Sequence, residues 1–128
     1  MNGLEQWHHV MKDGDMEALY DLLHPDCVFI SPVVHTPQEG REITYAYLRA
    51  ANKALSEDFQ YVREVVQDNH AVLEFTVKVD GIFVNGVDII TFEGDQIVEL
   101  KVMVRPLKAV NAVWKQMGQM LEQLKTAS

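Results

Sequence analysis

Apolar positions in this chain recur at two periods: a helical one as far as residue 55 and again after residue 106, and an alternating one in between. Leu4, Trp7, His8 and Met11 share a helical face that runs to Gly14, a residue suited to a left-handed C-terminal cap. Asp15 then caps a second helix carrying Leu19, Leu22 and Leu23, and Pro25 is expected to end it. CVFIS reads as a strand, and Pro32 to Gly40 as a loop, because Pro32 and Pro37 cannot donate to a ladder. A third helix follows, with Ile43, Tyr47, Ala51 and Leu55 along one stripe.

The second half alternates. Asp80-Gly81, between VLEFTVKV and IFVNGVDIITF, is the dipeptide a tight hairpin prefers, and Gly94-Asp95 makes the next turn. On the middle strand Ile82, Val84, Asp88, Ile90 and Phe92 share a face, with Gly86 among them as an expected bulge. On the last strand Val98, Leu100, Val102 and Val104 point inward, and Glu99, Lys101 and Arg105 point outward. The reading is α+β, with a strongly bent antiparallel sheet holding helices on its concave side. After Pro106 a final helix carries Leu107, Val110, Trp114, Met117, Leu121 and Leu124 as a seam that needs a partner, either its own sheet or another subunit.

At 128 residues the chain is expected to form one domain, with residues 1–105 as the core fold and 106–125 as a C-terminal extension. A formal charge of −8 without any Lys/Arg cluster argues against nucleic acid and acidic membranes as partners. Cys27, the lone cysteine, suits a small core hydrophobe better than a catalytic thiol. The start MNGLEQWHHVM lacks the basic, apolar character of a signal peptide, so a cytoplasmic protein is expected. The five histidines form no HxxxH or HExxH spacing, and there is no phosphate-cradling glycine loop and no nucleophile elbow. No metal and no cofactor are expected.

Asp88 is the position that changes the picture. A carboxyl between Val87 and Ile89, on the inward face of an apolar strand, is expensive unless hydrogen bonds satisfy it or it serves a cavity.

With these elements in order, the chain resembles the nuclear transport factor two-like (NTF2-like) superfamily, in its SnoaL-like and ketosteroid isomerase-like branch. DGDMEALYDLLHPDCVFISP followed by GRE looks like the family's helix, turn, first strand and loop, and GVDIITFEGDQIVELKV looks like its closing hairpin. The resemblance covers residues 1–105. It implies a cone-shaped curved antiparallel sheet wrapped on N-terminal helices, the cystatin-like or NTF2-like α+β barrel, here with an extra C-terminal helix. It also implies a cavity between sheet and helices.

The isomerase positions can be carried over one at a time. Where the isomerases place an oxyanion-hole tyrosine, this chain has Trp7, whose indole can donate a hydrogen bond but cannot titrate usefully. The general-base aspartate falls on Ser31, whose hydroxyl cannot hold a substrate proton at neutral pH. The third group, a carboxylic acid kept neutral by apolar surroundings, falls on Asp88, which matches.

The implied site is therefore an apolar pocket with one acid. Its walls are expected from Trp7, Met11, Ser31, Tyr47, Leu48, Phe75, Val77, Ile90, Val102 and Val104, with Asp88 as acid or hydrogen-bond donor and His35 as the candidate base nearby. Two readings stay open. One is an isomerase, cyclase, dehydratase or hydrolase type of enzyme acting on a small hydrophobic molecule. The other is a non-catalytic ligand-binding or assembly module, with a homodimer expected in either case.

Overall fold

The computed structural model describes residues 2–127. Helix α1 (Gly3–Asp13) starts where the Asn2 side chain accepts the Glu5 amide at 2.8 Å, and stops at Gly14, whose φ of 67° lets its N–H reach the Val10 carbonyl. Asp15 opens α2 (Met16–Leu22) by accepting the Ala18 amide at 3.1 Å. The chain passes directly into β1 (Leu23–Ile30), so Pro25 lies inside a strand instead of closing the helix. The ladder tolerates it because the β1 register slips between Leu23 and Val28, leaving the proline outside a regular hydrogen-bonded stretch.

After β2 (Gln38–Glu39), α3 (Arg41–Ala54) buries Thr44, Leu48 and Ala50, with Tyr47, Ala51 and Leu55 of the expected stripe packed partly buried beside them and Ile43 left 38% exposed. Then come β3 (Glu57–Gln67), β4 (His70–Val79), β5 (Ile82–Glu93) and β6 (Gln96–Arg105). The sheet order is β2-β1-β6-β5-β4-β3. Strands β3 to β6 form an antiparallel meander, whereas β1 joins β6 in parallel, so the curved sheet is mixed and does not close into a barrel. That parallel pairing is allowed because α3 and the whole meander separate the two strands in sequence, far more chain than a parallel crossover requires.

Asp80 and Gly81, with φ of 52° and 74°, close the two-residue β4–β5 hairpin. Gly86 is not a bulge. It pairs in register with Phe75 on one side and Val104 on the other, and a Cβ there would stand 2.5 Å from the Phe75 ring and 2.8 Å from the Met103 carbonyl oxygen. The glycine makes room for Phe75.

Helix α4 (Leu107–Ala127) lies on α3 and the sheet through Ala109, Ala112, Val113 and Met117. The small alanines let its backbone approach the fully buried Ala50 of α3. Leu107 and Trp114, members of the expected seam, face outward at 74% and 63% exposure, and the Leu124 side chain lies outside the described residues. Among the described residues no helix is long and apolar enough to cross a membrane.

The interior divides into two apolar clusters. One gathers Trp7, Val10, Leu19 and Phe29 with Leu73, Ile90 and Leu100; the other gathers Phe75, Val77 and Val84 under α4.

Candidate functional site

Between the two clusters lies a cavity of about 70 Å³, room for roughly five water molecules or a small organic group. Helix α1 supplies Trp7, Val10 and Met11 to its wall, and the sheet supplies Phe75, Leu100, Val102 and Val104. Helix α4 closes part of the perimeter with Val113 and Met117, so the C-terminal helix completes the cavity. Half-buried Ser31, Pro32, Val33, Asn52 and Leu55 mark its mouth.

Asp88 sits at this wall, 7% exposed, between Leu73 of β4 and Val102 of β6 in the ladder. Its Oδ2 accepts a hydrogen bond from the Tyr61 hydroxyl at 2.8 Å, and that hydroxyl accepts the Trp7 indole N–H at 3.0 Å. The direction of this relay is fixed by chemistry. An indole can only donate, so Tyr61 accepts from Trp7, and its single phenolic hydrogen goes to Oδ2, the one acceptor it meets among the described residues. The Tyr61 ring is held edge-on by Phe59, Phe75 and His8, and His8 is itself tied to Glu64 at 2.6 Å.

Burial pushes the Asp88 carboxyl up to about 7, against the smaller opposing pull of the Tyr61 hydrogen bond. Burial, and then the neighbouring Asp88 charge, raise the Tyr61 phenol as well, so Tyr61 stays protonated and keeps the hydrogen it donates to Oδ2. Oδ1 has no partner among the described residues. A protonated Asp88 therefore carries its proton on the oxygen that is free to meet a ligand. Asp88 is also the one ionisable group among the described residues that line the cavity.

Of the residues expected at the pocket, the structure brings together Trp7, Met11, Ser31, Leu48, Phe75, Val102 and Val104 with Asp88. Tyr47 does not line it; its ring tilts against Phe29, with centroids 5.3 Å apart, and fills space between the clusters. Val77 and Ile90 face inward but are spent in core packing on either side of the cavity. His35 is exposed in the loop between β1 and β2 and is not part of the wall, although Ser31, Pro32 and Val33 at the start of that loop are.

Tyr61 and Asn52 are absent from the sequence-derived site. Strand β3 conceals Tyr61: Val62, Val65 and Val66 are each about half exposed although Val65 and Val66 project to opposite faces, and the pairing with β4 slips between Glu57 and Gln60 and again between Tyr61 and Arg63, which scrambles the alternation. The usable signal is the pair Phe59 and Tyr61, two residues apart. Cys27 is fully buried and burial pushes its thiol up, in keeping with a core role. Among the described residues no three His, Cys, Asp or Glu side chains converge where a metal could be held.

Comparison with known proteins adds the lineage. A family model for the SnoaL-like domain matches residues 4–100. The chain superposes on a steroid delta-isomerase from Pseudomonas aeruginosa with a TM-score of 0.92 and 35% identity, covering 97% of this chain and 92% of that one. It superposes on an uncharacterized protein with a cystatin-like fold from Silicibacter pomeroyi at TM-score 0.84 and 30% identity, covering 91% and 83%. An NTF2-like protein of unknown function from Burkholderia xenovorans, 19% identical over 85% and 88% of the two chains, shares the fold at TM-score 0.66. No curated protein matches the sequence.

Proposed function

Because the chain belongs to the SnoaL-like family of the NTF2-like superfamily, we propose that its cavity binds a small, mainly apolar molecule and holds one oxygen of that molecule on Asp88. The observation that carries this reading is the free Oδ1 of a carboxyl whose other oxygen is committed to Tyr61, in a wall otherwise almost wholly apolar. Apolar walls supply affinity and the single acid supplies orientation.

A carboxyl with a pKa near 7 is present in both forms at neutral pH. Protonated, it donates to a carbonyl oxygen; ionised, it accepts from a hydroxyl or takes a proton from carbon beside a carbonyl. With no second ionisable group among the described lining residues, the chemistry that fits is a proton taken and returned by the same carboxyl, as in an isomerase-type reaction. The absence of a partner base among the lining residues also favours a second reading, a binding protein without turnover.

The test is a thermal-shift series with small cyclic ketones and lactones. Stabilisation by ketones is expected to be stronger at pH 6 than at pH 8, because the donor form of Asp88 is lost as pH rises through about 7. Asp88→Asn should keep ketone binding and lose its pH dependence, since the amide donates at every pH, and Asp88→Ala should weaken binding by roughly tenfold at pH 6 and change it little at pH 8, where the wild-type carboxylate no longer donates. Failure of every compound to shift the transition refutes the binding reading. NMR of a bound ketone in D₂O then separates the two readings: exchange of its α-protons that depends on Asp88 marks the enzyme, and binding without exchange marks the binding protein.

A further inference from the structure

Among the described residues that line the cavity, the side chains with hydrogen-bonding oxygens or amides are Ser31, Asn52 and Asp88. Ser31 is partly engaged in its own turn, where its Oγ accepts the Val33 amide at 3.1 Å. Asn52 is not engaged: half-buried on α3, it makes no side-chain hydrogen bond to any described residue and caps neither end of its helix.

Asparagine is a poor residue for a helix interior, because its amide competes with the backbone and favours caps and turns. Here it neither caps nor bonds, and its lining neighbours Ala51 and Leu55 are apolar. The local structure thus gives no reason for an amide at this point. A ligand would. Asn52 comes from the helical layer and Asp88 from the sheet, so the two groups meet the cavity from opposite layers.

We infer that Asn52 is a second polar anchor, and that the ligand is an uncharged apolar molecule bearing two separated oxygen functions, one for Asp88 and one for Asn52. This rests on the reading that the cavity binds an apolar molecule. The charge pattern narrows the class. No Lys or Arg is among the described residues that line the cavity, and Asp88 repels anions once ionised, so carboxylates and phosphates are disfavoured. The amide offers both a donor and an acceptor, so a hydroxyl or a carbonyl is accepted there, and hydroxyketones, diketones and hydroxylated lactones fit the description.

The experiment compares matched probes by calorimetry, 2-tetralone against 6-hydroxy-2-tetralone and cyclohexanone against 4-hydroxycyclohexanone. The hydroxylated member is expected to bind the wild-type protein threefold to tenfold more tightly, the range of roughly one neutral hydrogen bond. Asn52→Ala, which favours the helix, should abolish that advantage and leave the parent ketones within about twofold. Asn52→Leu should reverse it, because the added hydroxyl would then be buried without a partner. An advantage that survives in Asn52→Ala, or is absent from the wild type in both pairs, overturns the assignment of Asn52. If neither member of either pair binds, the cavity reading itself falls, and the second anchor with it.

Discussion

Two aspartates of this chain each accept a hydrogen bond from the protein and are displaced in opposite directions. Asp15 lies at the rim of the molecule, where the Ala18 amide and then the His9 ring at 3.2 Å hold its carboxyl below the usual range. Asp88 lies at the cavity wall, where loss of water raises it to about 7 although Tyr61 donates to it. The contrast shows that a hydrogen bond does not by itself set a carboxyl's acidity. Where water still reaches the group, fixed donors favour the charged form; where the surroundings are phenyl rings and aliphatic chains, dehydration costs more than one phenol returns.

The largest expected effect comes from removing the charge at the wall. An ordinary value of 3.8 raised to about 7 corresponds to roughly 4 kcal/mol. The folded state holds this proton more tightly than the unfolded chain, so the contribution of Asp88 is complete below about pH 4 and is lost as pH rises to about 7. Asp88→Asn should therefore be more stable than the wild type at pH 8, by up to about 4 kcal/mol, and nearly equal to it at pH 4. Urea unfolding at the two pH values checks this, and an unchanged pH slope in the variant would break the comparison.

Next in size is Tyr61→Phe, which strands both the Trp7 indole and one Asp88 oxygen and should cost about 1–3 kcal/mol. The same variant sharpens the argument, because losing the one donor that opposes burial should raise the Asp88 carboxyl further, as read by carboxyl NMR. Smallest is Asp15→Ala, which removes the cap of α2 and should lower the melting temperature modestly at pH 8. Its deficit should shrink in acid, since a depressed carboxyl loses its contribution as pH falls through its folded pKa. The two aspartate variants thus move stability in opposite directions at pH 8 and converge on the wild type in acid.

Much of this architecture was legible beforehand. Gly14, Asp15 and Asp80-Gly81 are punctuation whose conformations follow from their own chemistry, and all three act where the sequence places them. The inward set of β5 was legible because a central antiparallel strand has neighbours on both sides that enforce its alternation. Strand β3 was not, because an edge strand with two register slips can carry valines outward and still pair. The same limit hid Tyr61, and with it the partner that fixes which Asp88 oxygen is free.

The amino-acid order by itself determined the α+β class, the turn positions, the inward face of β5, and the presence of a carboxyl on an apolar face, because each follows from contacts within a few residues or across one hairpin; on β6 a slip in the pairing with β5 turns Ile97 inward in place of the expected Val98. Tertiary structure alone decided that β1 lies parallel to β6, that Gly86 yields space to Phe75, that α4 presents Val113 and Met117 to the cavity and leaves Trp114 outside, and that Trp7, Tyr61 and Asp88 meet in one relay. Those outcomes join residues far apart in the chain, and their geometry is set by how the layers pack, which no local pattern encodes.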